Sequence, residues 1–85
     1  MKIIIIQENG RHDANRSFRE CFSLQRAFIK LNHKCDVWGL GHDNFDMIPD
    51  WNSYDLIFNI ENYDTTGWVP SFKSITKPKK AVWSI

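Results

Sequence analysis

The chain has 85 residues, 42% of them hydrophobic, 25% charged and 14% aromatic, with a net charge of +1. This balance fits one small globular domain over residues 1–85 and excludes the disordered and collagen-like classes; a chain this short buries only roughly 60–70% of the surface that its unfolded form exposes. The longest apolar run, Ile3 to Ile6, falls far short of the ~20 residues of a membrane helix and of the apolar core of a secretory signal, so the chain reads as cytoplasmic with no membrane span.

Residues 2–6 form a continuous β-branched run, the pattern of a strand buried on both faces. A polar loop, 7–15, follows it and carries Glu8, Asn9, Gly10, His12 and Asp13, with Asn15 placed to cap a helix. The helix is expected over 16–31. On a helical wheel Phe18, Cys21, Phe22, Leu24, Phe28, Ile29 and Leu31 cover about half the circumference, with Gln25 intruding, a width suited to lying on a sheet. Asn32 stands where a helix ends in the left-handed conformation.

A second strand is expected over 34–40 and a short helix or turn over 44–51, stopped near Pro49. A third strand, 54–60, sets Leu56, Phe58 and Ile60 on one face and Ile57 and Asn59 on the other. A polar loop, 61–67, holds Glu61, Asn62 and Tyr63; a short helix over 68–75 and a turn at Pro78 lead to a fourth apolar strand, 81–85. Strands separated by helical patterns require right-handed parallel crossovers. The expected fold is therefore α/β: a Rossmann-like parallel sheet of about four strands in the order 3-2-1-4, in three α/β/α layers, with ligands at the carboxyl edge. The last strand arrives without a covering helix, so the domain reads as truncated, and its open edge predicts self-association through 81–85.

Residues 35–64 contain seven acids and no Lys or Arg. They serve either as loop and helix caps or as a surface for a polar or cationic group. Lys77, Lys79 and Lys80 make only a short cluster without interleaved aromatics, which argues against a nucleic-acid partner. Cys21 and Cys35 lack the spacing of a zinc or redox pair and read as reduced core thiols. His12, His33 and His42 do not make a metal set by spacing, although His42, Asp43 and Asp46 share one loop; no metal is assigned. His33 adjoins the helix end and reads as a capping residue.

Chemistry is bounded mostly by what is missing. Only Gly10 follows the first strand, so neither a dinucleotide fingerprint nor a phosphate-binding glycine loop is present, and no cofactor is assigned. A response-regulator receiver would share the opening strand, helix and strand, but its phosphate-accepting Asp is absent from Phe58-Asn59-Ile60-Glu61.

The stretch from Ser23 to Gly39, with Leu31-Asn32-His33 where the turn is commonly Leu-Gly-His, resembles the helix, turn and second strand that open many GT-B glycosyltransferases. The segments Phe58 to Tyr63, Trp68-Val69-Pro70 and Lys77 to Ile85 are similar to a bacterial and phage branch related to spore-maturation glycosyltransferases. The resemblance implies two Rossmann-like domains facing a cleft, with the nucleotide-sugar donor held mainly by the C-terminal domain and the sugar acceptor mainly by the N-terminal one. This chain would then be part of the acceptor side, inactive alone, because stabilisation of the diphosphate leaving group comes from the other half. Glu8, His12, Asp13 and Glu61 are the candidates for a base, and Asn9, Gly10, Asn62 and Tyr63 for binding the acceptor. The alternative is a non-catalytic Rossmann-like binding or interaction module.

Overall fold

A computed structural model describes residues 1–8, 20–60 and 67–82. The elements are β1 (Lys2–Ile6), α1 (Glu20–Lys30), β2 (Lys34–Trp38), a 3-10 turn (Trp51–Ser53), β3 (Leu56–Asn59) and β4 (Lys79–Val82). The four strands form one sheet, and every pairing is parallel. None of the described helices is long and apolar enough to cross a membrane.

The strand order is 2-1-3-4, which corrects the expected 3-2-1-4. Burial gives the physical reason. Ile3 to Ile6 are all 0–1% exposed, whereas β2 exposes Lys34 and Asp36 at alternate positions. A strand apolar on both faces takes the interior, and a strand with a charged face takes an edge. A polar clasp then seats β3 beside β1. The Asp55 N–H donates to the Lys2 carbonyl at 2.7 Å, and the Lys2 N–H donates to the Asp55 carboxylate at 2.8 Å. That second bond comes first among the causes that hold the Asp55 carboxyl below its ordinary range. The Asp55 carbonyl also accepts from the Lys79 N–H at 2.9 Å, so one residue ties three strands together.

In this order the step from β1 to β2 runs one way along the sheet, and the steps to β3 and β4 run the other. Right-handed crossovers therefore place α1 on one face and both later connections on the opposite face. Side-chain packing agrees. Ile3, Ile5, Cys35, Val37 and Ile60 meet Cys21, Phe22, Leu24 and Phe28 of α1. Across the sheet, Ile4, Ile6 and Ile57 meet Trp38, Tyr54, Val69 and Ile75, flanked by Phe45, Trp51, Trp68 and Phe72.

Among the described residues that second face is covered by turns, and the helix expected over 68–75 is not formed. Residues 68–75 hold a bend at Val69 and a turn at 73–74. Pro70 disfavours helical geometry at Val69, and the five residues left before Thr76 are too few to nucleate a helix. Strands 34–40 and 54–60 are shorter than expected, and the fourth begins earlier, at Lys79. Residues 83–85 lie outside the described set. The outer edge of β4 carries Lys79 and Lys80, both exposed, and charge on an edge strand opposes pairing with a like strand.

The buried stripe of α1 is narrower than half the wheel. Ile29 and Leu31 are 52% and 67% exposed, leaving Cys21, Phe22, Leu24, Gln25 and Phe28 toward the sheet; Phe18 lies outside the described residues. Gln25 belongs to this stripe because its Nε2 donates to the Cys35 carbonyl at 2.9 Å. The helix ends as expected at Asn32, with φ of 67°. The His33 N–H bonds the Phe28 carbonyl and the Asn32 N–H that of Ile29, both at 3.0 Å, and the His33 ring meets the Phe28 ring edge-on. This is a Schellman cap with its accompanying apolar contact. Asn32→Ala should cost about 1 kcal/mol in urea denaturation, because alanine lacks asparagine's tolerance of the left-handed region, and Asn32→Gly should cost nothing. Equal midpoints for Asn32→Ala and the native chain would contradict the cap.

Burial, then the neighbouring Asp36 carboxylate, pushes the Cys35 thiol from its ordinary 9.0 up to about 11. The folded state thus holds the thiol proton more tightly than the unfolded one. Stability should be full below pH 9 and decline as pH rises toward about 11. Tyr54 is pushed upward too, first by burial and then by its hydrogen bond to Asp36, but from an ordinary value of 10.0. Melting midpoints for Cys35→Ala should therefore fall less steeply than those of the native chain between pH 9 and 10. Parallel slopes would show that the thiol is not the titrating group.

Candidate site at the carboxyl edge of strands one and three

Winding reverses at β1, so the crevice that such sheets offer to ligands opens outside the carboxyl ends of β1 and β3. These strands end level: Ile6 pairs with Asn59, and the Ile60 N–H donates to the Ile6 carbonyl at 3.0 Å. The chain therefore leaves the sheet at Gln7 and after Ile60 at neighbouring points, about 5 Å apart. The expected order would have inserted β2 and doubled that spacing.

Among the candidate residues, Glu8 is described and stands half-buried one residue past Gln7. Asn9, Gly10, His12 and Asp13 lie outside the described residues, as do Glu61, Asn62 and Tyr63.

Sequence reasoning did not single out Gln7 or Gly39 at this edge, and it weighed His42 only for a metal set. Gln7, only 3% exposed, uses all of its polar groups. Its N–H donates to the Trp38 carbonyl at 3.2 Å. Its Oε1 accepts the Cys21 N–H at 2.8 Å in a buried bond, and its Nε2 donates to a Glu20 carboxylate oxygen at 3.3 Å. Its carbonyl oxygen meets His42 Nε2 at 2.8 Å. The only sequence signal was a polar residue abutting the apolar run, and it reads equally as the start of the loop.

The approach of the turn after β2 depends on Gly39. A Cβ there would stand 2.4 Å from the Gln7 carbonyl oxygen and 2.9 Å from the Trp68 ring. His42 follows in that turn, half-buried, its ring edge-on to Phe22 with centroids 5.5 Å apart. Asn59, 7% exposed, closes β3. It stands where a receiver would hold its phosphate-accepting carboxylate, and an amide cannot take that role. Among the described residues no three of His, Cys, Asp and Glu converge on one point, so His42, Asp43 and Asp46 do not form a metal set.

A cavity of about 370 Å³ opens beside His42, lined also by Phe22, Gln25, Asp36, Asp43 and Asn44. Its two amides are oriented by β2. Gln25 Nε2 and Asn44 Nδ2 donate to the carbonyls of Cys35 and Val37, which places each amide oxygen on the side away from the strand. A second groove, about 280 Å³ and mostly apolar, runs beside β4 between Ile57, Phe72 and Val82. It is remote in character from the polar edge.

Compared with protein-family models, with curated proteins and with solved structures, the chain gives no match.

Gln7→Leu keeps the apolar bulk but removes the buried bond to the Cys21 N–H and the bond to Glu20, and should cost about 1–3 kcal/mol. Gly39→Ala should cost at least as much through overpacking against the Gln7 carbonyl. Both are read from denaturant midpoints, and native-like values would show that the Gln7 contacts do not support the edge.

Proposed function

We propose that this chain is the acceptor-side, N-terminal segment of a GT-B-type glycosyltransferase that takes its sugar from a nucleotide-sugar donor. The observation that supports the reading best is the adjacency of β1 and β3. The chain that leads to Asn9, Gly10, His12 and Asp13 and the chain that leads to Glu61, Asn62 and Tyr63 thus leave the sheet side by side, at Gln7 and after Ile60. Carboxylates and amides on neighbouring loops suit the hydroxyls of a sugar, which both donate and accept hydrogen bonds.

In this reading the chain orients the acceptor, and the diphosphate of the donor is stabilised from the other half of the cleft. The buried free thiols of Cys21 and Cys35 suit a reducing, cytoplasmic setting.

The test uses the protein that carries this chain, assayed with a panel of UDP-, GDP- and TDP-sugars. Asp13→Asn and Glu61→Gln should each raise the acceptor KM roughly tenfold or more, the effect of weakening a charged hydrogen bond, while the nucleotide-sugar Kd stays unchanged. Unchanged turnover in both variants, or selective loss of donor binding, would remove the assignment. Binding of sugars without any transfer would favour the non-catalytic module instead.

A further inference from the structure

The turn after β2 brings His42 back to the end of β1. Its Nε2 lies 2.8 Å from the Gln7 carbonyl oxygen. A carbonyl oxygen only accepts, so Nε2 carries the proton in this contact, and the neutral ring keeps its lone pair on Nδ1. The carbonyl that fixes this tautomer is itself held, since the Gln7 side chain bonds Cys21 and Glu20 and its N–H bonds Trp38. Phe22 supports the ring from α1. The ring also borders the polar cavity of about 370 Å³, one residue from where Glu8 leaves β1.

We propose that His42 is the base that takes the proton of the acceptor hydroxyl, an assignment that rests on the glycosyltransferase reading. Nδ1 accepts the proton of the hydroxyl. The hydroxyl oxygen forms a bond to the anomeric carbon of the donor as the bond from that carbon to the diphosphate oxygen breaks. The electron pair leaves with the nucleoside diphosphate, and the imidazolium later releases its proton to solvent. Among the described residues, the titratable groups that share this edge are Glu8 after β1, Glu20 of α1, Asp36 of β2 and Asp43 beside the ring. All four are carboxylates, opposite in sign to the imidazolium that the step creates.

A plain structural tie would use the same Nε2 contact, so the test separates the two roles. His42→Gln retains an N–H donor for the Gln7 carbonyl but no basic nitrogen. In the protein that carries this chain, the variant should keep its melting midpoint and nucleotide-sugar Kd while kcat for transfer falls on the order of a hundredfold or more, with the acid limb of the pH profile lost. A kcat within about threefold of the native value would overturn the base assignment and leave the glycosyltransferase reading standing. Absence of transfer by the native protein across the nucleotide-sugar panel would overturn both. Independently of activity, nitrogen-15 NMR of the native chain should show neutral His42 protonated at Nε2; an Nδ1-protonated ring would overturn the proposal even if His42→Gln failed to fold.

Discussion

The bond from the Cys21 N–H to the Gln7 side chain, 2.8 Å long and buried, sets how α1 meets the carboxyl edge. A buried residue whose side-chain and backbone partners come from three separate segments holds them in one arrangement, since a lost partner leaves a polar atom away from water. The backbone of the same residue bonds Trp38 and His42. Helix, edge strand and turn are thus referred to a single point at the end of the central strand. Gly39 completes the arrangement by absence of a side chain, because any Cβ there would occupy the space of the Gln7 carbonyl.

Asp55 does the corresponding work at the amino edge, where its backbone and carboxylate join β1, β3 and β4. Between these two polar ties the central strand is isoleucine from Ile3 to Ile6, which supplies burial but little directional preference. Apolar contact makes the strands associate, and the ties at the two ends decide which neighbours they choose and in what register. The edge strand β2 is finished differently. Its backbone groups at Lys34 and Trp38 face β1, so the carbonyls of Cys35 and Val37 face outward, where Gln25 and Asn44 cap them. A parallel edge whose acceptors are already used offers little to an incoming strand.

Much of the sheet was legible in the sequence because its signals are local. The isoleucine run, the alternation in Leu56 to Asn59 and the left-handed Asn32 each depend on a few neighbouring residues. Strand order was not legible from the alternation of elements, because both doubly wound orders follow from it. The deciding features were the charges at Lys34 and Asp36, which mark an edge strand, and the pairing of Asp55 with Lys2 across 53 positions. The expected helix at 68–75 failed for a local reason that the sequence did contain, the restriction that Pro70 places on Val69. At the site, topology could be inferred, and Glu8 stands at the expected edge. Gln7 and His42 could not be found that way, since their roles arise from contacts between β1, α1 and the turn after β2.

Among the described residues, the second face is covered by aromatic side chains carried on turns. Trp38 is its centre, packing at 5.0 Å from Phe45, 5.4 Å from Trp51 and 6.0 Å from Trp68 between ring centroids. Its indole N–H donates to the Met47 carbonyl at 3.1 Å, which satisfies the one polar atom that burial would otherwise strand. Large flat side chains cover much sheet area per residue, so a few of them in turns can seal a face that would otherwise need two turns of helix. The arrangement bears on the carboxyl edge directly. Trp38 is the last residue of β2 and Gly39 the first of the turn that carries His42, so the aromatic packing that anchors Trp38 also fixes the base of that turn. Rigidity at the His42 position therefore comes from both faces of the sheet: Phe22 and Gln7 on the helix side, and the tryptophan cluster beneath.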